Sequence, residues 1–133
     1  MTLPKFMRVY RKSEMIFEEG DYASEMFVIH SGKVRLFRTA SSEQIEVGLL
    51  DAGQFFGEMA LADNSPRSAS ACADEDGTTL ISIDRDKFLF LVSHQPAFAL
   101  VIMHALCERI RSLSEHVFCV DPQNTWARKQ SND

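Results

Sequence analysis

Residues 55–70, running from Phe55 to Ser70, read FFGEMALADNSPRSAS. The stretch places a glycine, an acid at the head of a short helical run, and an arginine followed by small residues within one loop-like segment. Gly57 has no side chain, so another group can approach its backbone closely. The amides that follow, of Glu58, Met59 and Ala60, stand at a helix start, where N–H groups without intrahelical partners and the dipole favour an anion. Glu58 supplies an acceptor for sugar hydroxyls. Arg67 presents a planar fork that matches phosphate oxygens, and Ser68 adds a hydroxyl and a further amide. Singly, each residue is ordinary. An acid in a first helical turn complements the dipole, and an arginine after Asn64-Ser65-Pro66 is commonly a solvated charge that pairs with a nearby acid. Their order and spacing together suit a small cyclic phosphate joined to a ribose.

Upstream of this stretch the chain reads as short strands separated by turns. Arg8 to Arg11 and Met15 to Phe17 are brief β segments, Glu19-Gly20-Asp21 is a turn, and Met26 to His30 leads through Ser31-Gly32 into Val34 to Thr39. Ile45, Val47 and Leu49 alternate with Glu46 and Gly48, the pattern of a half-buried strand. Val34 and Leu36 are expected to face inward on one strand and Val47 on another. Asp51-Ala52-Gly53 turns into the Phe55 stretch, Ser68 to Ala73 forms a further strand, and Glu75-Asp76-Gly77 turns into Thr79 to Ile83. Regularly spaced short strands with glycine-centred turns suggest a β-sandwich or jelly roll.

The last third changes period. Asp84 is placed as the N-cap of a helix over about 85–93, with Lys87 where an acid would complete a capping box. His94-Gln95-Pro96 breaks that helix, and a long one is expected over about 97–117. In it Ala99, Met103, Leu106, Ile110, Leu113 and Val117 recur at spacings of four and three, a heptad seam. A second stripe of Phe98, Ile102 and Ala105 widens the apolar face. One stripe suits the domain's own body and the other a second helix, so self-association is expected, with burial of both on the domain as the alternative. Asp121-Pro122 ends the helix, and residues 119–133 read as a polar tail. Trp126 is its one large aromatic, suited to stacking on a base or to loose surface packing.

The 133 residues are 45% hydrophobic, enough for one domain with a sizeable core. A formal net charge of −5 argues against a general nucleic-acid or anionic-membrane surface, though not against a small anion held locally. The N-terminus MTLPKFMRVYRK carries no apolar run of the secretory kind. Three cysteines, Cys72, Cys107 and Cys119, are too scattered for a disulfide framework, which fits a reduced, cytoplasmic setting with Cys72 and Cys107 as buried thiols. The histidines His30, His94, His104 and His116 form no His-x-His or His-Glu-x-x-His pair, so neither a cupin-type metal centre nor an enzyme is expected. No cysteine precedes Cys72, which argues against a haem or iron–sulfur sensor.

The stretch resembles the phosphate-binding cassette of cyclic nucleotide-binding domains, the superfamily of the catabolite activator protein and the regulatory subunits of cAMP-dependent protein kinase. The family pattern is Phe-Gly-Glu-(apolar)-Ala-Leu, a variable loop, then Pro-Arg-(small)-Ala. Phe56, Gly57, Glu58, Met59, Ala60 and Leu61, then Pro66, Arg67, Ser68 and Ala69, fill it here. The resemblance runs from about Phe6 to about Val117. It implies a mainly β fold, a jelly-roll-like β-roll over about 6–84 with a short phosphate-binding helix and C-terminal helices, in a domain of residues 1–118. It implies that the cyclic phosphate binds the amides after Gly57 and Arg67, and that Glu58 takes the ribose 2′-hydroxyl. Leu36 and Val47 then border the purine, and Ser114, beside Leu113, sits where a serine meets the adenine edge. Cyclic AMP is the expected ligand and cyclic GMP the alternative, with Ser68 compatible with either, and no resident cofactor or metal is implied. Leu113 replaces a polar neighbour. The residues after the long helix are too few for a winged helix-turn-helix, so no direct DNA binding is expected of this chain, nor a membrane. A homodimer through the long helix and an effector protein are its expected partners. The alternative is a ligand-independent dimerisation domain with a degenerate site.

Overall fold

The computed structural model describes residues 6–120, with side chains described through Arg111 and Ser112. The chain divides into two units, Met1–Leu89 and Phe90–Asp133. The first holds eight strands and a short helix: β1 (Met7–Tyr10), β2 (Met15–Phe17), β3 (Glu25–Ser31), β4 (Lys33–Ala40), β5 (Glu43–Asp51), β6 (Phe55–Phe56), α1 (Glu58–Asp63), β7 (Ser70–Ala73) and β8 (Thr78–Asp84). The strands form two four-stranded sheets, in the orders β1-β8-β3-β6 and β2-β7-β4-β5, with antiparallel pairing throughout. The architecture is the expected β-roll, and every expected strand is present to within two residues at either end. β5 runs two residues beyond expectation at each end, and β7 begins two residues late, at Ser70, where the backbone of Arg67 just ahead of it bonds to the Gly20-Asp21 turn.

The core lies between the two sheets. Tyr10, Phe27, Ile29, Phe56 and Leu80 come from the first sheet, and Val34, Ala71 and Ala73 from the second. The first sheet thus contributes the large side chains and β7 the small ones, a division that keeps the facing layers close. Ile16, Phe17, Leu36 and Leu50 pack against the edge of this cluster, all from the second sheet. Leu36 and Val34 therefore face inward as the alternation predicts. Val47 does not: it is 55% exposed. The register slips between Leu36 and Phe37, where Leu36 pairs with Gly48 and Phe37 with Glu46, so Val47 is the extra residue of a bulge on an edge strand. Ile45 and Leu49 are also about half exposed.

The connections are built from residues that tolerate positive φ. At Gly32, φ is +92° and the position of an added Cβ lies 2.7 Å from the Thr78 Cα. Thr78 is wholly buried there, its hydroxyl donating to the Glu75 carbonyl oxygen at 2.8 Å. The β3–β4 turn and the start of β8 are therefore pressed together.

Two helices follow: α2 (Arg85–His94), which runs across the boundary between the units, and α3 (Ala97–Val120). Asp84 caps α2 as expected, its carboxylate accepting from the Lys87 amide at 2.8 Å. In the second unit, among the described side chains of α3, Ile102 of the second stripe is buried whereas Met103 and Ile110 of the heptad seam are exposed. Cys107, expected to be buried, is exposed, four positions from the exposed Met103 and three from the exposed Ile110; Cys72 is a buried free thiol on β7. The side chains of Leu113, Ser114, His116 and Cys119, and all of Asp121, Pro122 and Trp126, lie outside the described residues. No single helix among the described residues is long and apolar enough to cross a membrane.

Replacing Gly32 by alanine is expected to lower stability by about 2 kcal/mol or more, since a left-handed residue gains a Cβ and that Cβ meets buried backbone. Gly77, at φ +77° with nothing within 4 Å of an added Cβ, serves as the control. Gly77→Ala is expected to cost only about 1 kcal/mol. Urea midpoints of the two variants check the difference, and equal losses would contradict the close approach at Gly32.

Candidate functional site

The site is built on the aromatic end of the core. Phe55 and Phe56 of β6 pair with Val28 and Phe27 of β3, which buries both rings. Phe27, Phe56 and Phe17 form a cluster with centroids 5.4–6.1 Å apart. Directly after β6 the chain turns at Gly57, φ 80° and ψ 9°, and α1 begins. The left-handed conformation is one reason for glycine here. The second is space. A Cβ on Gly57 would lie 2.6 Å from Nη1 of Arg67. The room that the sequence suggests for a ligand at this glycine is therefore taken on one side by the protein's own arginine.

Arg67 is the centre of the arrangement. Although charged, it is only 4% exposed. Its Nη1 donates to the Gly57 carbonyl oxygen at 3.1 Å, and its guanidinium carbon lies 4.2 Å from the centroid of the Phe17 ring and 5.8 Å from that of Phe27. The backbone is fixed on both sides: the Arg67 amide donates to the Asp21 carbonyl and the Gly20 amide to the Arg67 carbonyl, each at 2.8 Å. Burial pushes the guanidinium below its ordinary pKa, and the carboxylates of Glu25 and Asp21 pull it back up. An arginine so placed stays charged at neutral pH. Its Nε is buried and has no hydrogen-bond partner. Leaving such a donor unsatisfied costs about 1–3 kcal/mol, a cost removed when an acceptor oxygen reaches it.

Of the expected residues, Gly57 is brought directly against the Arg67 guanidinium. Gly57, Glu58, Met59 and Ala60 form the start of α1, and Ser68 and Ala69 follow Arg67. Glu58 is half-buried, Met59 and Ser68 are exposed, and Ala60 and Ala69 are buried. The Ala60 amide points back to the Gly57 carbonyl at 3.3 Å, which leaves the amides of Glu58 and Met59 as the outermost donors of the helix start. At the other end of α1, Asn64 takes a left-handed conformation and its amide donates to the Ala60 carbonyl at 3.2 Å. Arg85 fastens this end by donating to the Leu61 carbonyl at 2.9 Å and to Asn64 Oδ1 at 3.1 Å. Leu36 is half-buried on the inner face of β4, and Val47 is on the bulged edge of β5. Leu113 and Ser114 belong to α3, in the second unit.

Sequence reasoning missed the residues that hold Arg67. Phe17, Gly20, Asp21 and Glu25 all lie more than 40 positions upstream of it. Glu25 is itself bound by Arg8, at 3.2 and 3.3 Å, and by the Ser82 hydroxyl at 2.5 Å. The turn signal at Gly20-Asp21 is visible in the sequence, but its partner is not. An open groove of about 570 Å³ is lined by Met15, Glu19, Gly20, Phe37, Thr39 and Ser70. Phe37 and Ser70 pair on the face opposite Leu36 and Ala71, so this groove is on the outside of the sheet, and the Gly20 on its wall donates its amide to the Arg67 carbonyl. Among the described residues, no three His, Cys, Asp or Glu side chains come together as metal ligands.

The contact between Gly57 and the guanidinium makes a testable claim about stability. Gly57→Ala is expected to cost about 2–3 kcal/mol in the native chain, from the left-handed Cβ and from displacement of Arg67. In an Arg67→Ala background the second part disappears, so the two changes should couple by about 1 kcal/mol in a double-mutant cycle of denaturant unfolding. Additive losses would contradict the close approach.

The geometry coincides with that of known proteins. The family model of the cyclic nucleotide-binding domain matches residues 7–95. The chain is 40% identical over 105 residues to the cyclic AMP receptor protein of Thermus thermophilus, covering 78% of this chain and 48% of that protein. It is 35% identical over 81 residues to cGMP-dependent protein kinase 2 of Homo sapiens, covering 59% of this chain and 11% of the kinase. Among solved structures, the Thermus thermophilus catabolite activator protein superposes with a TM-score of 0.76 at 36% identity, over 86% of this chain and 54% of that one. An EAL enzyme in its cAMP-bound form superposes with a TM-score of 0.61 at 32% identity, over 93% of this chain and 33% of that one. The chain thus spans about half the length of its Thermus relatives and a smaller share of the kinase and the EAL enzyme. A β-roll closed over a buried arginine, with the family model matched across both sheets, shows that the chain belongs to the cyclic nucleotide-binding domain family.

Proposed function

We propose that this domain is a cyclic nucleotide sensor that takes cyclic AMP, with cyclic GMP as the competing ligand, and reports occupancy through its C-terminal helix. The observation that carries the reading is Arg67: a buried guanidinium with an unsatisfied Nε at a left-handed glycine, beside the start of α1. A phosphate oxygen satisfies that donor and meets the positive charge in surroundings where a charged hydrogen bond is strong. The amides of Glu58 and Met59 add donors, Glu58 accepts from the ribose 2′-hydroxyl, and Ser68 and Ala69 border the phosphate. Leu36 and the exposed Val47 give the base an apolar wall. Leu113 and Ser114 on α3 complete the contact in the ligand-bound state, and the ligand thereby shifts the population of α3 positions toward one that a partner reads.

In this reading the domain is regulatory, works in the cytoplasm, has no catalytic group or metal of its own, and acts on an effector protein, not on DNA directly. Relatives named for cAMP and for cGMP both support a cyclic nucleotide, and neither name decides the base. A second reading, a ligand-independent dimerisation domain, draws on Met103 and Ile110, which are exposed on the heptad seam of α3. The two combine if the seam forms a homodimer in which the nucleotide sets the helix position.

Titration calorimetry is expected to give saturable heat with cyclic AMP, cyclic GMP or both below high micromolar concentration; absence of a signal with either would overturn the sensor. Arg67→Ala is expected to weaken binding about ten- to hundredfold, the loss of one charged hydrogen-bonding contact of about 1.5–3 kcal/mol. Sedimentation with and without nucleotide separates the readings: a dimer indifferent to ligand, with no thermal shift on adding nucleotide, favours the second.

A further inference from the structure

We infer that Phe17 is a positioning residue for the bound anion: its ring face holds the Arg67 guanidinium in the plane from which the N–H edges reach a phosphate. The inference rests on Arg67 being the phosphate-binding arginine, as proposed above. The ring is the nearer of two, 4.2 Å from the guanidinium carbon against 5.8 Å for Phe27. Phe27 and Phe56 are fully buried and hold the half-buried Phe17 ring from below, at centroid distances of 6.1 and 5.8 Å. The same segment also fixes the backbone of Arg67, since β2 ends at Phe17 and the Gly20-Asp21 turn directly after it makes both 2.8 Å backbone bonds.

The chemistry explains why a ring serves better than an acid. A carboxylate paired in the fork would fix the guanidinium equally well, but it would neutralise the charge and occupy the N–H edges that an anion needs. The carboxylate of Glu25 is drawn off by Arg8 and Ser82 and acts on Arg67 only at range. An aromatic face attracts the cation through its quadrupole and leaves the edges open. Without that contact the guanidinium populates other rotamers, and apparent affinity falls with the fraction still competent to bind.

Fluorinated phenylalanines at position 17 test this, because one, two or three fluorines drain the ring face of negative potential with little change in shape. The affinity for cyclic AMP, measured by calorimetry, is expected to fall stepwise with fluorination, by about fivefold for the trifluoro ring. Phe17→Tyr should bind like the native chain, and Phe17→Leu should bind about fivefold more weakly. In an Arg67→Gln background the fluorine series should be flat. A series that is flat in the native background, or one that persists without the arginine, overturns the role of Phe17 while leaving the sensor intact. Failure of the native chain to bind any cyclic nucleotide overturns the sensor reading, and this role with it.

Discussion

A buried positive charge organises this domain. Arg67 is removed from water without an ion pair to any of the described residues in its fork, and few arrangements make that tolerable. Three contacts do so together. The Gly57 carbonyl takes one N–H, the Phe17 ring lies under the guanidinium plane, and Glu25 and Asp21 act at range. Each contact imposes a requirement elsewhere. The carbonyl is within reach only because residue 57 has no Cβ and turns left-handed. The ring is in place only because Phe27 and Phe56 support it. Nε is left over, a buried donor without an acceptor among the described residues.

The two sheets hold these parts together. The first contributes Phe27 and Phe56, the second contributes Phe17, and Arg67 arrives on the segment that enters β7. β3 carries Glu25 and Phe27, and the other two rings come from β2 and β6. The short helix α1 is too brief to be stable by itself. It is fixed at its head by the Gly57 turn and at its tail by Asn64 and by the side chain of Arg85. Arg85 opens α2, so α1 and the start of α2 share a hydrogen-bonded connection.

The sequence is most legible where its signals are local. Strand alternation, glycine turns and the Asp84 cap depend on neighbours a few positions apart, and all three reappear in the structure at or near the expected residues. The order Gly57, Glu58, Arg67, Ser68 is likewise readable because the cassette is one continuous segment. Val47 departs from expectation for a reason that is also physical. Leu50 and Gly48 pair with the inward Val34 and Leu36, so Val47 already has the outward parity of the exposed Leu49, and the slip leaves it as the extra residue of a bulge on an edge strand. Cys107 departs because residue type alone places a free cysteine in the core, whereas on α3 it lies beside the exposed Met103 and Ile110.

By itself the sequence determined the roll, the caps and turns, and the family of the cassette, since these follow from spacing within short segments. The tertiary structure alone decided what holds the arginine. Phe17, Gly20, Asp21 and Glu25 carry no signature that ties them to Arg67, because the force that unites them is the cost of burying a charge, and that cost arises only when the two sheets close. Gly57 was legible as a glycine that something must approach; only the closed fold revealed that the approaching group is the guanidinium of the protein itself.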